Sequence, residues 1–297
     1  MRQLEIDYCQ ILLPDGLADD RPLVVVIGGS SGGLRSIDQA QFYAANGYAA
    51  AIIPYFGIEG LPAELKLIPL EYFRDCIDKI MELSELSRRA VFVQGTSKGA
   101  EASLLLCANR IVDVDGVILI SPSRYAWGAS ADLEDLIAGK VIEESSWSWQ
   151  GNPVEFVPFN PKEPIAPTVR ELNGTSCLVF RDTWYPKVSG TLGQIVLCNL
   201  NTNLLVFSGQ ADDLWPSYRA GCEIANTLEE LGRSDLVKHI SFPNVGHQIP
   251  FPGKDPALNL SHPQLGYSIS YGGDRKGTLE ASKVWWEEVQ QFISNDT

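Results

Sequence analysis

Apolar residues along the chain fall into short unbroken runs, separated by stretches in which they recur every three or four positions. Leu23–Ile27 (LVVVI) is the first such run and ends in glycines; residues 48–53 (YAAAII) end at Pro54. Residues 90–93 (AVFV) lead into Gly95, and Gly116–Ile120 (GVILI) leads into Ser121 and Pro122. Residues 203–207 (NLLVF) run into Ser208 and Gly209, and Val237–Phe242 (VKHISF) is a last, more polar run. An apolar run without polar alternation, bounded by turn formers, predicts a strand covered on both faces, as in a parallel sheet. The stretches between predict amphipathic helices over 37–46, 70–83, 98–109, 217–231 and 277–293. In the second, Phe73, Ile77 and Ile80 share one face, and Gly47 and Gly232 stop the first and the fourth. Strand and helix alternate throughout, which predicts an α/β class domain: a doubly wound, mostly parallel sheet with helices on both faces, over residues 1–297.

One segment breaks this rhythm. Residues 123–200 carry Trp127, Trp147, Trp149 and Trp184, a run of prolines (Pro153, Pro158, Pro161, Pro164, Pro167) and little periodicity. Long irregular insertions inside compact domains are usually functional, so 123–200 is expected to be a cap over a site. The plainer reading is a surface excursion packed down by its tryptophans.

Charge narrows the partners. Asp and Glu number 37 against 23 Lys and Arg, a formal net charge of −14. A field of that sign repels phosphate backbones, so no nucleic acid is expected as a partner. The six cysteines show no CxxC or zinc-like spacing and read as reduced, mostly buried thiols of a cytoplasmic protein. No apolar run is long enough for a membrane span, and charges interrupt what would be a leader's apolar stretch. The three histidines are too scattered for a ligand set, so no metal and no cofactor is expected.

Candidate chemistry begins where the third run meets its helix. Gly95-Thr96-Ser97-Lys98-Gly99 is a Gly-x-Ser-x-Gly pattern between a predicted strand and a predicted helix. A sharp strand-to-helix turn projects the serine oxygen above the sheet edge, and flanking glycines let the two elements approach. The next backbone N–H, that of Lys98, lies at a helix N-terminus, where it can stabilise a developing oxyanion. The Lys98 side chain reads either as a solvent-facing helix residue or as a catalytic charge. The competing reading of the whole turn is a Gly-rich connection with an incidental serine.

Of the histidines, His239 sits within a strand-like run and reads as structural, and His262 precedes Pro263 in a polar loop. His247 follows the last strand in Pro243-Asn244-Val245-Gly246-His247 and is the candidate base. The candidate acid is Asp212, in the loop after run 203–207, with Trp215 and Pro216 opening the next helix. Asp213 is the alternative acid, or else a solvated residue near that helix start. Serine, then aspartate, then histidine is a chain order that suits a nucleophile, an orienting acid and a general base. After the first strand, Gly28-Gly29-Ser30-Ser31-Gly32-Gly33 frees the backbone to offer a second oxyanion donor, the N–H of Ser30 or Ser31. Gly29 and Trp215 are the candidate substrate contacts. A phosphate-binding reading of this loop lacks the Walker lysine and the GxGxxG register.

These residues together resemble the C-terminal catalytic domain of the acyl-CoA thioesterase and bile acid-CoA:amino acid N-acyltransferase family, itself close to dienelactone hydrolases of the α/β-hydrolase fold. The similar stretches are Gly32-Gly33-Leu34, Leu70-Glu71-Tyr72-Phe73, Gly95 to Glu101, Gly209 to Trp215, Gly246-His247 and Tyr271-Gly272-Gly273-Asp274. The resemblance implies a Ser97–His247–Asp212 triad and a small-molecule acyl ester or acyl-CoA substrate. In that family serine goes with hydrolysis and cysteine with transfer to an amine. Animal members carry a β-sandwich domain ahead of this one; about twenty residues precede the first core strand here, and the expectation is a chain without it. The expected activity is thioester hydrolysis, beside two alternatives: a carboxylesterase or dienelactone-type hydrolase, and a non-catalytic binding protein on a hydrolase fold. Nothing in the sequence sets acyl-chain length or oligomeric state.

Overall fold

Eight strands hydrogen-bond into the central sheet of the computed structural model, which describes residues 1–18, 20–129, 143–158, 168–172, 175–184, 191–262 and 267–295. An antiparallel hairpin opens the chain, β1 (Arg2–Ile6) and β2 (Cys9–Leu13). The six apolar runs follow as β3 (Leu23–Ile27), β4 (Ala49–Ile52), β5 (Val91–Thr96), β6 (Gly116–Ile120), β7 (Asn203–Gly209) and β8 (Val237–Phe242). The order is β1-β2-β4-β3-β5-β6-β7-β8, with β3 to β8 parallel and β2 antiparallel to β4.

The apolar runs lack alternation because both of their faces are covered. In β3, Leu23, Val25 and Ile27 belong to one core cluster, and Val24 and Val26 to the other. Helices α1 (Ile37–Ala45), α2 (Leu70–Met81), α3 (Lys98–Ala108), α4 (Ser217–Glu230) and α5 (Arg275–Asn295) divide between the faces. The first and last pack on the Val24 face through Tyr43, Trp285 and Val289, and the middle three on the other. Each large apolar side chain so covered contributes roughly 1.5–3 kcal/mol relative to exposure. All eleven residues of α3 are buried.

The chain runs from β3 to β4 on one side and then returns to β5 on the other, so strand order reverses at β3. Ile27 and Gly95 are register partners there. Loops leaving the carboxyl ends of β3 and β5 therefore start side by side, at the position where open α/β sheets form their ligand crevice.

The described parts of 123–200 are packed against the domain. Ser123, Tyr125, Trp127, Ser146 and Trp147 are buried. Trp147–Trp149 pairs with Ile68–Pro69 and with Asn152–Pro153 in a three-stranded sheet. Thr168–Leu172 and Thr175–Val179 join Tyr267–Ser270 and Asn259–His262 in a four-stranded sheet. These strands are two to five residues long, too short to show a local period, and two of their pairings join distant segments, Ile68–Pro69 with Trp147–Trp149 and Thr175–Val179 with Tyr267–Ser270. His262 accordingly ends a strand and does not sit in a polar loop. Trp184 lies in a single helical turn, Arg181–Trp184; Pro161, Pro164 and Pro167 lie outside the described residues. Cys9, Cys76, Cys107 and Cys177 are buried free thiols. Among the described residues no helix is long and apolar enough to cross a membrane.

Candidate active site

Ser97 occupies the turn between β5 and α3 with φ 56° and ψ −118°. A side-chain-bearing residue pays about 1–3 kcal/mol for such a backbone and keeps it only where its surroundings enforce it. Here the Ser97 N–H donates to the Ile120 carbonyl at 2.9 Å, and the Ser97 carbonyl accepts from Ala100 and Glu101 at 2.9 and 3.1 Å. The flanking glycines are required by proximity. A Cβ on Gly95 would overlap the Gly99 backbone, and one on Gly99 would overlap the Ile27 and Gly28 carbonyl oxygens. Lys98 is the first residue of α3, so its backbone N–H has no acceptor within the helix and lies at the positive end of the helix dipole.

His247 is buried in the loop after β8. Its Nδ1 lies 2.9 Å from Asp212 Oδ2. Asp212 is 1% exposed and all its close contacts are donors. Oδ1 accepts from the Leu214 and Trp215 N–H groups at 2.9 and 3.0 Å, and Oδ2 accepts from the Ser217 hydroxyl at 2.6 Å. Four donors around one carboxylate fix its orientation. The histidine is fixed from behind as well: its N–H donates to the Tyr271 carbonyl at 2.7 Å, and its carbonyl accepts from the Ser121 hydroxyl at 2.6 Å. Ser97 and His247 thus hang from consecutive residues, Ile120 and Ser121, at the carboxyl end of β6.

Asp213, the alternative acid, is buried and points elsewhere. It accepts from the Ser270 hydroxyl at 2.8 Å and from Arg170 Nη1 at 3.4 Å, and Arg181 Nη1 stands 3.9 Å away. Its carbonyl accepts from the Phe180 and Arg181 N–H groups. The expectation of a solvated acid is therefore corrected: Asp213 fastens the four-stranded sheet to the loop that carries Asp212. Trp215 is buried with Tyr125, Trp127, Val157, Leu178 and Phe180. Its ring centroid lies 6.2 Å from that of His247, and its indole N–H donates to the Ser121 carbonyl at 3.1 Å.

The glycine-rich loop after β3 runs past the nucleophile. A Cβ built on Gly29 would stand 3.3 Å from Ser97 Cβ and 3.8 Å from its Oγ. Ser30 and Ser31 follow in the turn with exposed side chains.

The Lys98 side chain corrects the solvent-facing reading, because it is 5% exposed. Its Nζ donates to Glu101 Oε1 at 2.9 Å and to Ser146 Oγ at 2.9 Å, with the Trp127 carbonyl at 3.4 Å. Glu101 Oε1 also accepts from the Trp127 N–H at 3.0 Å and the Trp147 indole at 2.7 Å. Burial pushes the Lys98 pKa down and the Glu101 pKa up, and each charge opposes the other's shift. Glu101, Ser146, Ser121, Ser217 and Tyr271 escaped sequence reasoning. Glu101 and Tyr271 lay within the family-like stretches, and Ser217 left a signal as a hydroxyl beside a helix start. Among the described residues no three His, Cys, Asp or Glu side chains group to hold a metal.

A family model described as BAAT / acyl-CoA thioester hydrolase C terminal matches residues 68–297. The chain belongs to that family. Human acyl-coenzyme A thioesterase 6 is 24% identical over 274 residues, covering 92% of this chain and 59% of that protein. Mouse acyl-coenzyme A amino acid N-acyltransferase 2 is 24% identical over 281 residues, covering 92% of this chain and 59% of that protein. The chain thus spans about three-fifths of the length of these relatives. Among solved structures, an α/β hydrolase enzyme, MGS-M1, from a Medee basin deep-sea metagenome library aligns with TM-score 0.57 and 14% identity over 100% of this chain and 98% of that one. MenH from S. aureus aligns with TM-score 0.52 and 14% identity over 98% and 99%. At such identities the likeness speaks for the fold, which is the α/β-hydrolase fold.

Proposed function

We propose that this protein is a serine hydrolase that cleaves acyl thioesters, with Ser97 as nucleophile, His247 as general base and acid, and Asp212 as the group that orients the histidine. The observation that carries the proposal is the 2.9 Å contact between His247 Nδ1 and Asp212 Oδ2, at the same end of the sheet as the strained Ser97. With Nδ1 bound to a carboxylate, the free imidazole nitrogen is Nε2, the tautomer a general base needs. His247 takes the proton from Ser97 as Oγ bonds to the acyl carbon. The carbonyl π pair becomes an oxyanion, held by the Lys98 N–H and a donor from the Gly29–Ser30–Ser31 loop. The leaving thiolate departs with the proton from His247 and leaves an acyl-serine. Water then attacks the acyl carbon, its proton passing through His247 to Ser97, and the carboxylic acid is released. The reaction uses no metal and no cofactor.

A second reading has its own observation. The net charge of −14 opposes an anionic substrate such as an acyl-CoA and favours an uncharged ester, as a carboxylesterase or dienelactone-type hydrolase would take. The buried free thiols fit a reducing compartment, and the cytoplasm is the proposed one.

The test is thiol release from a panel of acyl-CoAs, run beside p-nitrophenyl esters, for wild type and Ser97→Ala. Acyl-CoA turnover with the higher kcat/KM, lost by roughly four or more orders of magnitude in the variant, supports the thioesterase. Ester turnover alone selects the second reading. Turnover of neither points to an unusual acyl group or an amine acceptor and raises the binding-protein alternative.

A further inference from the structure

Tyr55 follows β4 in the Ile53-Pro54-Tyr55-Phe56 segment. It is buried, and its ring stands 5.3 Å from that of Phe73 and 5.7 Å from that of Trp147, centroid to centroid. Its hydroxyl is not turned to solvent. Its single proton is shared between two successive carbonyls of the loop after β3, that of Gly28 at 2.8 Å and that of Gly29 at 3.1 Å. The Gly29 carbonyl also accepts from the Gly32 N–H at 3.5 Å.

The consequence follows from peptide geometry. In a planar trans peptide the C=O and the N–H point in opposite directions, and no cis bond occurs among the described residues. Drawing the Gly28 and Gly29 carbonyls toward Tyr55 turns the N–H groups of Gly29 and Ser30 the other way. Ser97 is the neighbour on this loop: Gly29 is the residue whose added Cβ would lie 3.3 Å from Ser97 Cβ. Further along, the loop is tied by the Gly33 N–H, which donates to the Phe56 carbonyl at 2.8 Å; at Gly28 and Gly29 the backbone rotates freely, and the Ser30 and Ser31 side chains are exposed.

We propose that Tyr55 is a positioning residue for the oxyanion hole: its hydroxyl pins the Gly28 and Gly29 carbonyls and so aims the N–H of Ser30, with that of Gly29 beside it, at the oxygen of an acyl group on Ser97. This rests on the hydrolase reading above. It also separates Ser30 from Ser31 as donor, since the Ser31 N–H belongs to a peptide that Tyr55 does not hold. Tyr55 touches no reacting atom. Its contribution lies in preorganisation, which counts in the transition state and little in substrate binding.

Tyr55→Phe keeps the ring and its packing and removes only the hydroxyl. Rates are read per active site, counted by fluorophosphonate labelling of Ser97 carried to completion, so that partial misfolding does not enter. Removing an oxyanion donor outright costs about 10²–10³ in kcat; a donor left in place but unaimed should cost roughly 10–100-fold, with KM changed less than about two-fold. A second readout is inhibition by an aliphatic trifluoromethyl ketone. Ser97 Oγ adds to its carbonyl carbon, His247 takes the proton and the oxygen becomes an oxyanion. Its inhibition constant should weaken by the same factor as kcat. A kcat within two-fold of wild type, or a fall carried by KM with inhibitor affinity unchanged, overturns the proposal. The hydrolase reading fails separately: in that outcome wild type turns over no more ester or thioester than Ser97→Ala.

Discussion

At the scale of single residues, the loop after β7 carries two adjacent carboxylates whose surroundings assign them different work. Asp212 receives two backbone N–H groups, a serine hydroxyl and the His247 ring. Asp213 receives Ser270 and two arginines. Asp212→Asn preserves shape but offers His247 Nδ1 an ill-matched partner. It should lower kcat by about 10³–10⁴ and also cost about 1–3 kcal/mol of stability, because the new amide NH2 must face a donor. Asp213→Asn should cost a similar amount of stability, about 1–3 kcal/mol, through weakened buried bonds but leave kcat per titrated site within a few-fold. Steady-state rates and melting curves on both variants check this. A kcat collapse in Asp213→Asn alone would make Asp213 the orienting acid.

At the scale of elements, α3 is held at its first turn by more than its backbone bonds. The Lys98–Glu101 pair, 7% and 0% exposed at the side chains, ties the start of α3 to Trp127, Ser146 and Trp147 of the insertion. Glu101 Oε1 collects three donors, whereas Oε2 is buried without a hydrogen-bond partner among the described residues. This part of 123–200 is thus a fixed wall behind the nucleophile. Taking one partner from a buried ion pair leaves an uncompensated charge and costs about 3–5 kcal/mol. Glu101→Gln should therefore lose that much by urea unfolding. Lys98→Met combined with Glu101→Gln should lose less than the sum of the single losses, because no charge is left buried. Additive losses would mean that the two side chains do not act as a pair.

At the scale of the whole molecule, the net charge of −14 is a field that every substrate meets. If the substrate is an acyl-CoA, encounter is between like charges. Raising ionic strength from about 0.01 M to about 0.15 M shortens the Debye length from roughly 30 Å to 8 Å and should raise kcat/KM for an acyl-CoA several-fold. A neutral p-nitrophenyl ester should be unaffected. A fall in acyl-CoA kcat/KM with salt would instead point to local attraction at the site.

The six core strands, their helices and the α/β class were legible in the sequence, because a strand buried on both faces must be apolar throughout and a covering helix must be apolar on one. The Ser97 turn was legible too. Gly95 is demanded by the approach of α3 to β5 and Gly99 by the approach of α3 to the end of β3, and both demands are written locally in the sequence. The order of Ser97, Asp212 and His247 along the chain pointed to the loops that carry them. What remained hidden was the pairing of short strands and the direction of individual side chains. The hairpin of β1 and β2 and the two small sheets have no period of their own. A choice between Asp212 and Asp213 needs the direction of a side chain, which adjacent residues in a loop do not encode. Lys98 looked exposed because a lysine on a helix usually is, and only its partner Glu101 and the insertion folded over both make its burial tolerable. Tyr55 carries no mark of its role in the sequence; the fold alone brings its hydroxyl to two carbonyls beside Ser97. The sequence by itself determined which residues are apolar, flexible or reactive; tertiary structure decided which of them face one another, because hydrogen bonds and ion pairs are set by distance in space and not by distance along the chain.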